Sequence, residues 1–310
     1  MPQTQPARVL LAPDQPSWAR EAVYAGGGRV VGPSAGPDAL VWTTPGGWEG
    51  LRSYLQQAPT VRWVQLPFAG VDAIATTGLL TNERTWTCAK GAYAEPVAEH
   101  ALTLALAGLR DIAGRARATD WGRQGAKTLF DSKVVILGAG GIATALLRLL
   151  QPFRAQTTVV RRQPEMKVHG AEATVGLESL DDVLIGAHVV VLALALTDDT
   201  ERILDARRLQ LPGPEAVLVN VARGRHIDTD GLVDALRAGT IGAASLDVTD
   251  PEPLPSAHPL FSLPGALVTP HTANPWSTAR PIFAARVSDN VSRWRKGQPL
   301  TGIVDVDFGY

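Results

Sequence analysis

The stretch from Lys133 to Ala143, KVVILGAGGIA, constrains this chain more than any other. Four apolar residues, Val134 to Leu137, lead directly into Gly138-Ala139-Gly140-Gly141-Ile142-Ala143. A short apolar run is the pattern of a strand buried on both faces. The glycines follow at the spacing G-x-G-x-x-A, a permitted form of the dinucleotide fingerprint. Ala145 to Leu150 (ALLRLL) then reads as a helix. Strand, glycine turn and helix each have a task. Gly138 permits the tight turn, Gly140 lets a pyrophosphate reach the backbone, and a small residue at Ala143 lets helix and strand pack. The phosphates sit at the helix N-terminus, on the free N–H groups of Gly141 and Ile142, where the dipole favours an anion.

At 310 residues the chain is long enough for two domains. Before the fingerprint, strand patterns at Arg8–Ala12, Ala39–Thr43 and Val61–Leu66 alternate with helical ones at Trp18–Ala25 and Trp48–Gln57. Such alternation predicts a parallel sheet flanked by helices. Gly26-Gly27-Gly28 follows a helix rather than a strand, so it reads as a helix end and not a phosphate loop. Pro96–Leu109 is a long apolar helix, and Arg110–Ser132 is polar and irregular. After Val134, strands are expected at Thr157–Val160, Val189–Leu194, Val217–Val221, Ala243–Val248 and Ala266–Thr269. Helices are expected at Leu180–Ile185, Glu201–Leu209, Asp230–Ala238 and Thr278–Lys296, and the tail from Gln298 is expected to pack back on the first domain. The second domain is thus an insertion: residues 98–274 form the dinucleotide-binding domain, and 1–97 with 275–310 form a discontinuous substrate domain.

Composition excludes several function classes. A net charge of −1 leaves no footprint for nucleic acid or an acidic membrane. The single cysteine, Cys88, rules out an intrachain disulfide and a CxxC metal or redox motif, and no metal is expected. The N-terminus lacks the pattern of a secretory signal. The longest apolar run, Leu184–Leu196, is interrupted by His188 and falls short of the roughly 20 residues a membrane span needs. A cytoplasmic protein is expected.

In an open parallel sheet, ligands bind beyond the carboxyl ends of the strands. Three consecutive strands end there in reactive side chains: Arg223, Glu252 in DPEP, and His271 in TPH. Taken singly, these read as a surface charge, a loop carboxylate and a capping or core histidine; their shared location is the argument. Reduction of a 2-oxo acid needs a cation to grip the carboxylate, which arginine does with a bidentate fork. It needs a proton donor for the developing alkoxide, which suits histidine, and a carboxylate to orient and charge the imidazole. Arg223 is therefore assigned as anchor, His271 as general acid/base and Glu252 as its partner. Asp247 either accepts from a nicotinamide carboxamide or caps the following loop. Phe68, Tyr93 and Trp276 are either pocket-lining or core aromatics.

The segments VNVARGRHIDTDGLVDAL, LDVTDPEPLP and VTPHTA, with LGAGGIA and FAGVD, resemble the signature segments of the D-isomer-specific 2-hydroxyacid dehydrogenases over nearly the whole chain. The resemblance implies an α/β fold of two domains, a Rossmann cofactor-binding domain inserted in a flavodoxin-like substrate domain. It implies catalytic Arg223, Glu252 and His271, cofactor contacts around Ala222 and Asp247, and substrate carboxylate binding by the backbone of Ala69 and Gly70, with Arg223 and His271. It also implies a homodimer joined through the cofactor domain, with Trp121 where the dimer arm begins.

The sequence departs from the usual pattern one strand past the glycines. An acidic residue about 20 positions on normally accepts from the ribose 2′-OH of NAD. Here that place holds Arg161-Arg162, which would attract a 2′-phosphate. NADP is the expected cofactor, with NAD as the alternative and a solvated rim as the plain reading of the pair. NADP use points to reduction, as in the glyoxylate and hydroxypyruvate reductases. Glu252 argues against the formate dehydrogenases, which carry Gln there. An ending at Tyr310 argues against a regulated phosphoglycerate dehydrogenase, leaving such an enzyme without a regulatory domain as one alternative. The other is a nicotinamide-sensing, corepressor-like binding protein of the same fold.

Overall fold

A computed structural model of the chain describes residues 5–122 and 125–308. The first four residues of the N-terminal segment, positions 123–124 of the polar stretch and the last two residues of the tail lie outside that description. The chain divides into two compact units, Met1–Tyr93 with Trp276–Tyr310, and Ala94–Pro275.

The first unit holds a five-stranded parallel sheet: β1 (Ala7–Ala12), β2 (Gly28–Val30), β3 (Ala39–Trp42), β4 (Trp63–Gln65) and β5 (Thr85–Thr87). Its order, β2-β1-β3-β4-β5, is that of flavodoxin-like sheets. Helices α1 (Ser17–Ala25), α2 (Trp48–Gln57), α3 (Asp72–Ala75) and the long α9 (Trp276–Lys296) complete it. The glycine run ends α1, with Gly27 at φ +79°. It also brings α9 close: a Cβ on Gly26 would fall 2.6 Å from the Ser288 carbonyl oxygen. Trp42, Trp63 and Trp86 are wholly buried, and each indole N–H has an acceptor: the Gly46 carbonyl, Thr87 Oγ1 and the Thr81 carbonyl. The tail packs on this unit through Val304 N–H to the Trp86 carbonyl and Thr301 N–H to Asn290 Oδ1.

The second unit holds a seven-stranded parallel sheet. Its strands are β6 (Lys133–Leu137), β7 (Gln156–Val160), β8 (Ala173–Val175), β9 (Val189–Leu192), β10 (Val217–Asn220), β11 (Ala243–Leu246) and β12 (Ala266–Val268). Their order is β12-β11-β10-β9-β6-β7-β8, so the chain runs outward from β6 and then returns to β6's other side with β9. That reversal, at the end of β6, is the switch point where such sheets open a crevice. The helices are α4 (Ala94–Leu109), α5 (Ile112–Arg117), α6 (Gly141–Leu150), α7 (Leu180–Leu184) and α8 (Thr229–Ala238). The four central strands, β6, β9, β10 and β11, are almost fully buried, as expected for a sheet covered on both faces.

Two local expectations are corrected. No α-helix forms over Glu201–Leu209; the segment is a series of turns ending in a 3-10 turn at Arg208–Gln210. Arg202 has φ +47°, Asp205 Oδ1 takes the Arg208 N–H at 2.8 Å, and Leu204 bridges Ile227 as a strand would. Local side-chain bonds of this kind compete with a helix. The polar stretch Arg110–Ser132 is not wholly irregular, since α5 lies within it.

Candidate active site

Three features meet at the carboxyl edge of the seven-stranded sheet. The first is the glycine turn. Gly138 has φ +109°, and a Cβ there would fall 2.3 Å from the Ala193 carbonyl oxygen, so no side chain fits. Gly140, the N-cap of α6, faces open space: nothing lies within 4 Å of where its Cβ would be. Ala143 is fully buried. No side chain caps α6 and its first turn holds no acidic residue, so its N-terminal N–H groups, including those of Gly141 and Ile142, suit an anion. A dinucleotide pyrophosphate fits this cradle.

The second feature is an acid–base pair. His271 Nδ1 lies 2.7 Å from Glu252 Oε1. Both side chains are open to solvent, at 54% and 41% exposure. His271 is in the left-handed region, φ +49°, which non-glycine residues keep only where neighbours hold them. Its backbone N–H donates to the carbonyls of Asp247 and Thr269.

Asp247, just beyond β11, supplies much of that hold. It is 2% exposed. Its Oδ1 accepts from Thr269 Oγ1 at 2.5 Å and from the Thr272 N–H at 2.9 Å, and Oδ2 accepts from the Ala273 N–H at 3.0 Å. His100 Nε2, on α4, approaches Oδ1 at 3.3 Å. Burial alone would raise the pKa of this carboxyl group. The donors His100, Thr269, Thr272 and Ala273 outweigh it and hold the pKa at about 2. Asp247 therefore caps the loop that carries His271.

The third feature is the turn after β10. Asn220 shapes it: its Oδ1 accepts the Ala222 N–H at 3.0 Å and its Nδ2 donates to the Arg223 carbonyl at 2.8 Å. Arg223 Nη1 donates to the Ala222 carbonyl at 2.8 Å. Gly224 is pressed against the loop that bears Glu252, since a Cβ there would lie 2.0 Å from the Thr249 carbonyl. Thr229 Oγ1 adds a bond to the Asp250 carbonyl. The Arg223 turn and the Glu252 loop are thus fixed to each other. Buried His226 extends the same turn toward the glycine fingerprint, with Nδ1 2.9 Å from the Thr200 carbonyl and Nε2 3.3 Å from the Leu194 carbonyl.

Arg161 follows β7, the strand beside β6. Its Nη1 donates to the Met166 carbonyl at 2.7 Å, which folds the guanidinium over its own loop, while Arg162 is exposed. In the first unit, Ala69 and Gly70 follow β4, and Ala69 is exposed. Their loop is tied down by Ala89 N–H to the Phe68 carbonyl and by the Cys88 thiol to the Ala69 carbonyl at 3.3 Å. Burial pushes the Cys88 thiol pKa up. Tyr93 is a core residue, its hydroxyl donating to the Pro67 carbonyl at 2.7 Å. Phe68 packs edge-on against Trp48, and Trp276 against Trp18. Among the described residues no group of three or more His, Cys, Asp and Glu side chains is placed to hold a metal, and no helix is long and apolar enough to cross a membrane.

Sequence reasoning missed His100, Thr269, Asn220 and His226. The one signal for His100 was a lone imidazole in a mostly apolar helix.

Comparison with known proteins agrees with this geometry. Residues 100–273 match the family model of the D-isomer specific 2-hydroxyacid dehydrogenase NAD binding domain. The chain is 41% identical over 256 residues to an uncharacterized protein in the proB 3′ region of Corynebacterium melassecola, covering 81% of this chain and 84% of that one. It is 30% identical over 257 residues to the glyoxylate reductase of Pyrococcus furiosus, covering 78% and 75%. A D-isomer specific 2-hydroxyacid dehydrogenase from Xanthobacter autotrophicus, solved with NADPH and MES, superposes with a TM-score of 0.84 at 28% identity, over 99% of this chain and 100% of that one. The chain belongs to the D-isomer specific 2-hydroxyacid dehydrogenase family, and residues 100–273 are its NAD-binding domain.

Proposed function

We propose that this dehydrogenase reduces a small 2-oxo acid of the glyoxylate or hydroxypyruvate type to the 2-hydroxy acid, using NADPH, with NADH as the alternative. The observation that carries the reading is the His271–Glu252 pair, 2.7 Å apart on the sheet edge where the glycine turn opens. The similarity to the Pyrococcus glyoxylate reductase and to the NADPH-bound Xanthobacter enzyme supports the substrate class and the cofactor.

The bound nicotinamide supplies a hydride to the substrate carbonyl carbon. Gly140, Gly141, Ile142 and Ala143 would hold the pyrophosphate by backbone N–H groups, while Gly138, whose own N–H donates to the Val160 carbonyl, makes the tight turn. Ala222 and the turn that Asn220 shapes would border the cofactor. Asp247 Oδ2 accepts from a single backbone N–H, so it retains acceptor capacity for the carboxamide. Arg161 and Arg162 supply the cationic surface for a 2′-phosphate. Arg223 anchors the substrate carboxylate and polarises its carbonyl. His271 turns Nδ1 to Glu252, which leaves Nε2 to deliver a proton to the carbonyl oxygen as it becomes an alkoxide. Glu252 orients the ring and balances its charge in the protonated form.

We place the enzyme in the cytoplasm as a homodimer joined through the NAD-binding unit. Trp121 and Ile112 of that unit, 88% and 53% exposed, support such an interface. Steady-state reduction of glyoxylate and hydroxypyruvate with each cofactor tests the reading. Turnover with NADPH above NADH supports it, and preference for NADH removes the assignment of Arg161 and Arg162.

A further inference from the structure

We infer that His100, on α4, is a positioning residue for the proton donor His271 and acts through Asp247. The inference rests on the role proposed for His271. His100 touches none of the reacting groups. Its Nε2 lies 3.2 Å from Thr269 Oγ1 and 3.3 Å from Asp247 Oδ1.

The direction of these bonds follows from counting hydrogens. The Thr269 hydroxyl has one hydrogen, and the 2.5 Å contact to Asp247 Oδ1 uses it. Asp247 is ionised near neutral pH and brings no hydrogen of its own. Both oxygens facing Nε2 are therefore acceptors, and Nε2 carries a hydrogen shared between them. His100 and Thr269 together fix the orientation of the Asp247 carboxylate.

That carboxylate in turn fixes the loop. It takes the N–H groups of Thr272 and Ala273, the two residues after His271. The carbonyl of the same aspartate takes the His271 N–H. His271 holds its left-handed φ because the chain on both sides is tied to one residue. The 2.7 Å approach to Glu252 depends on that backbone geometry. The path from helix α4 to the catalytic imidazole is thus His100, Asp247, loop backbone, His271. The carboxylate, at 1% side-chain exposure, has no solvent to replace a lost donor, whereas the side chain of His100 is 19% exposed.

The test compares His100→Leu, which keeps bulk and loses the donor, with His100→Gln, which reaches as far and keeps an N–H. His100→Leu should lower kcat by roughly ten- to hundredfold, the range expected when a reacting group is misplaced by up to about an ångström. The Kd for NADPH should change far less than kcat, because the glycine turn assigned to the pyrophosphate is untouched. The solvent deuterium isotope effect on kcat should rise, because a misplaced donor makes proton transfer limit turnover. Amide exchange at Thr272 and Ala273 should quicken while that of the α4 core stays slow. His100→Gln should restore kcat, isotope effect and exchange together. A His100→Leu enzyme with wild-type kcat and wild-type exchange, beside an inactive His271→Asn, overturns the inference. So does equal impairment of both variants with an unchanged isotope effect, the result of a packing role alone. An active His271→Asn overturns the His271 assignment instead, and the exchange rates then decide whether His100 governs the loop.

Discussion

Nδ1 of His271 and Oε1 of Glu252 lie 2.7 Å apart across 19 residues of sequence, at the ends of the neighbouring strands β12 and β11. A bond of this length orients the imidazole and leaves its second nitrogen for the proton delivery proposed for it. Replacing His271 with Asn removes the proton donor and leaves the glycine turn intact. The expected result is a fall in kcat of about 100-fold or more, in line with the usual worth of general acid catalysis, with unchanged NADPH affinity. Glu252→Gln should lose less, because the ring stays in place without its counter-charge. Steady-state rates and a binding titration check both; near-wild-type kcat in His271→Asn takes the residue out of the mechanism.

Arg223 sits in a turn whose backbone is fixed by Asn220 and packed through Gly224 on the Thr249 carbonyl. A lysine there can keep the charge and cannot reproduce the two-pronged grip on a carboxylate. Arg223→Lys should therefore raise the KM for the oxo acid and lower kcat/KM by roughly tenfold or more, the scale of one charged hydrogen bond. A mild loss confined to kcat places carboxylate anchoring elsewhere.

Arg161 now spends one nitrogen on the Met166 carbonyl, and Arg162 is exposed. Replacing both with Ser should weaken NADPH and leave NADH nearly untouched. The expected change is a fall in kcat/KM with NADPH of roughly tenfold or more, about the weight of one charge-assisted bond. If the two cofactors lose equally, the arginines only line the rim.

Asp247 makes a prediction about stability. Its folded-state pKa of about 2 lies below the ordinary aspartate value of about 3.9. The folded state therefore favours the charged form. The stabilisation is present above about pH 4 and is lost as pH falls toward 2. Its size is on the order of 2 kcal/mol, about half of it gone by pH 3. Asp247→Asn should be less stable than wild type in urea at pH 7, and the gap should narrow at pH 3. A gap that stays constant with pH shows that the charge of Asp247 contributes nothing to stability.

Much of this site was legible because its signals are local. KVVILGAGGIA carries strand, turn and helix in one stretch, and the structure shows β6, an open Gly140 and a buried Ala143 there. His271 and Glu252 were found by asking what lies beyond the strand ends, and they meet. What escaped depends on contacts between distant residues. His100 reaches Thr269 across 169 positions, and nothing near it in sequence points there. The three-residue strands β2, β5 and β8 are too short to show alternation and exist because a neighbouring strand templates them. The missing helix at Glu201–Leu209 gave way to side-chain bonds from Thr200 and Asp205. The His226 contacts likewise span 26 and 32 positions, whereas the Asn220 bonds to Ala222 and Arg223 are local, a side-chain turn of a kind asparagine favours.

The most direct measurement is the loss of NADPH absorbance on mixing the purified chain with glyoxylate or hydroxypyruvate, repeated with NADH. The account predicts saturable turnover with at least one of the two acids, faster with NADPH, and abolished in His271→Asn. Saturable NADPH binding without turnover of any small 2-oxo acid contradicts it and identifies a protein that senses the cofactor instead of using it.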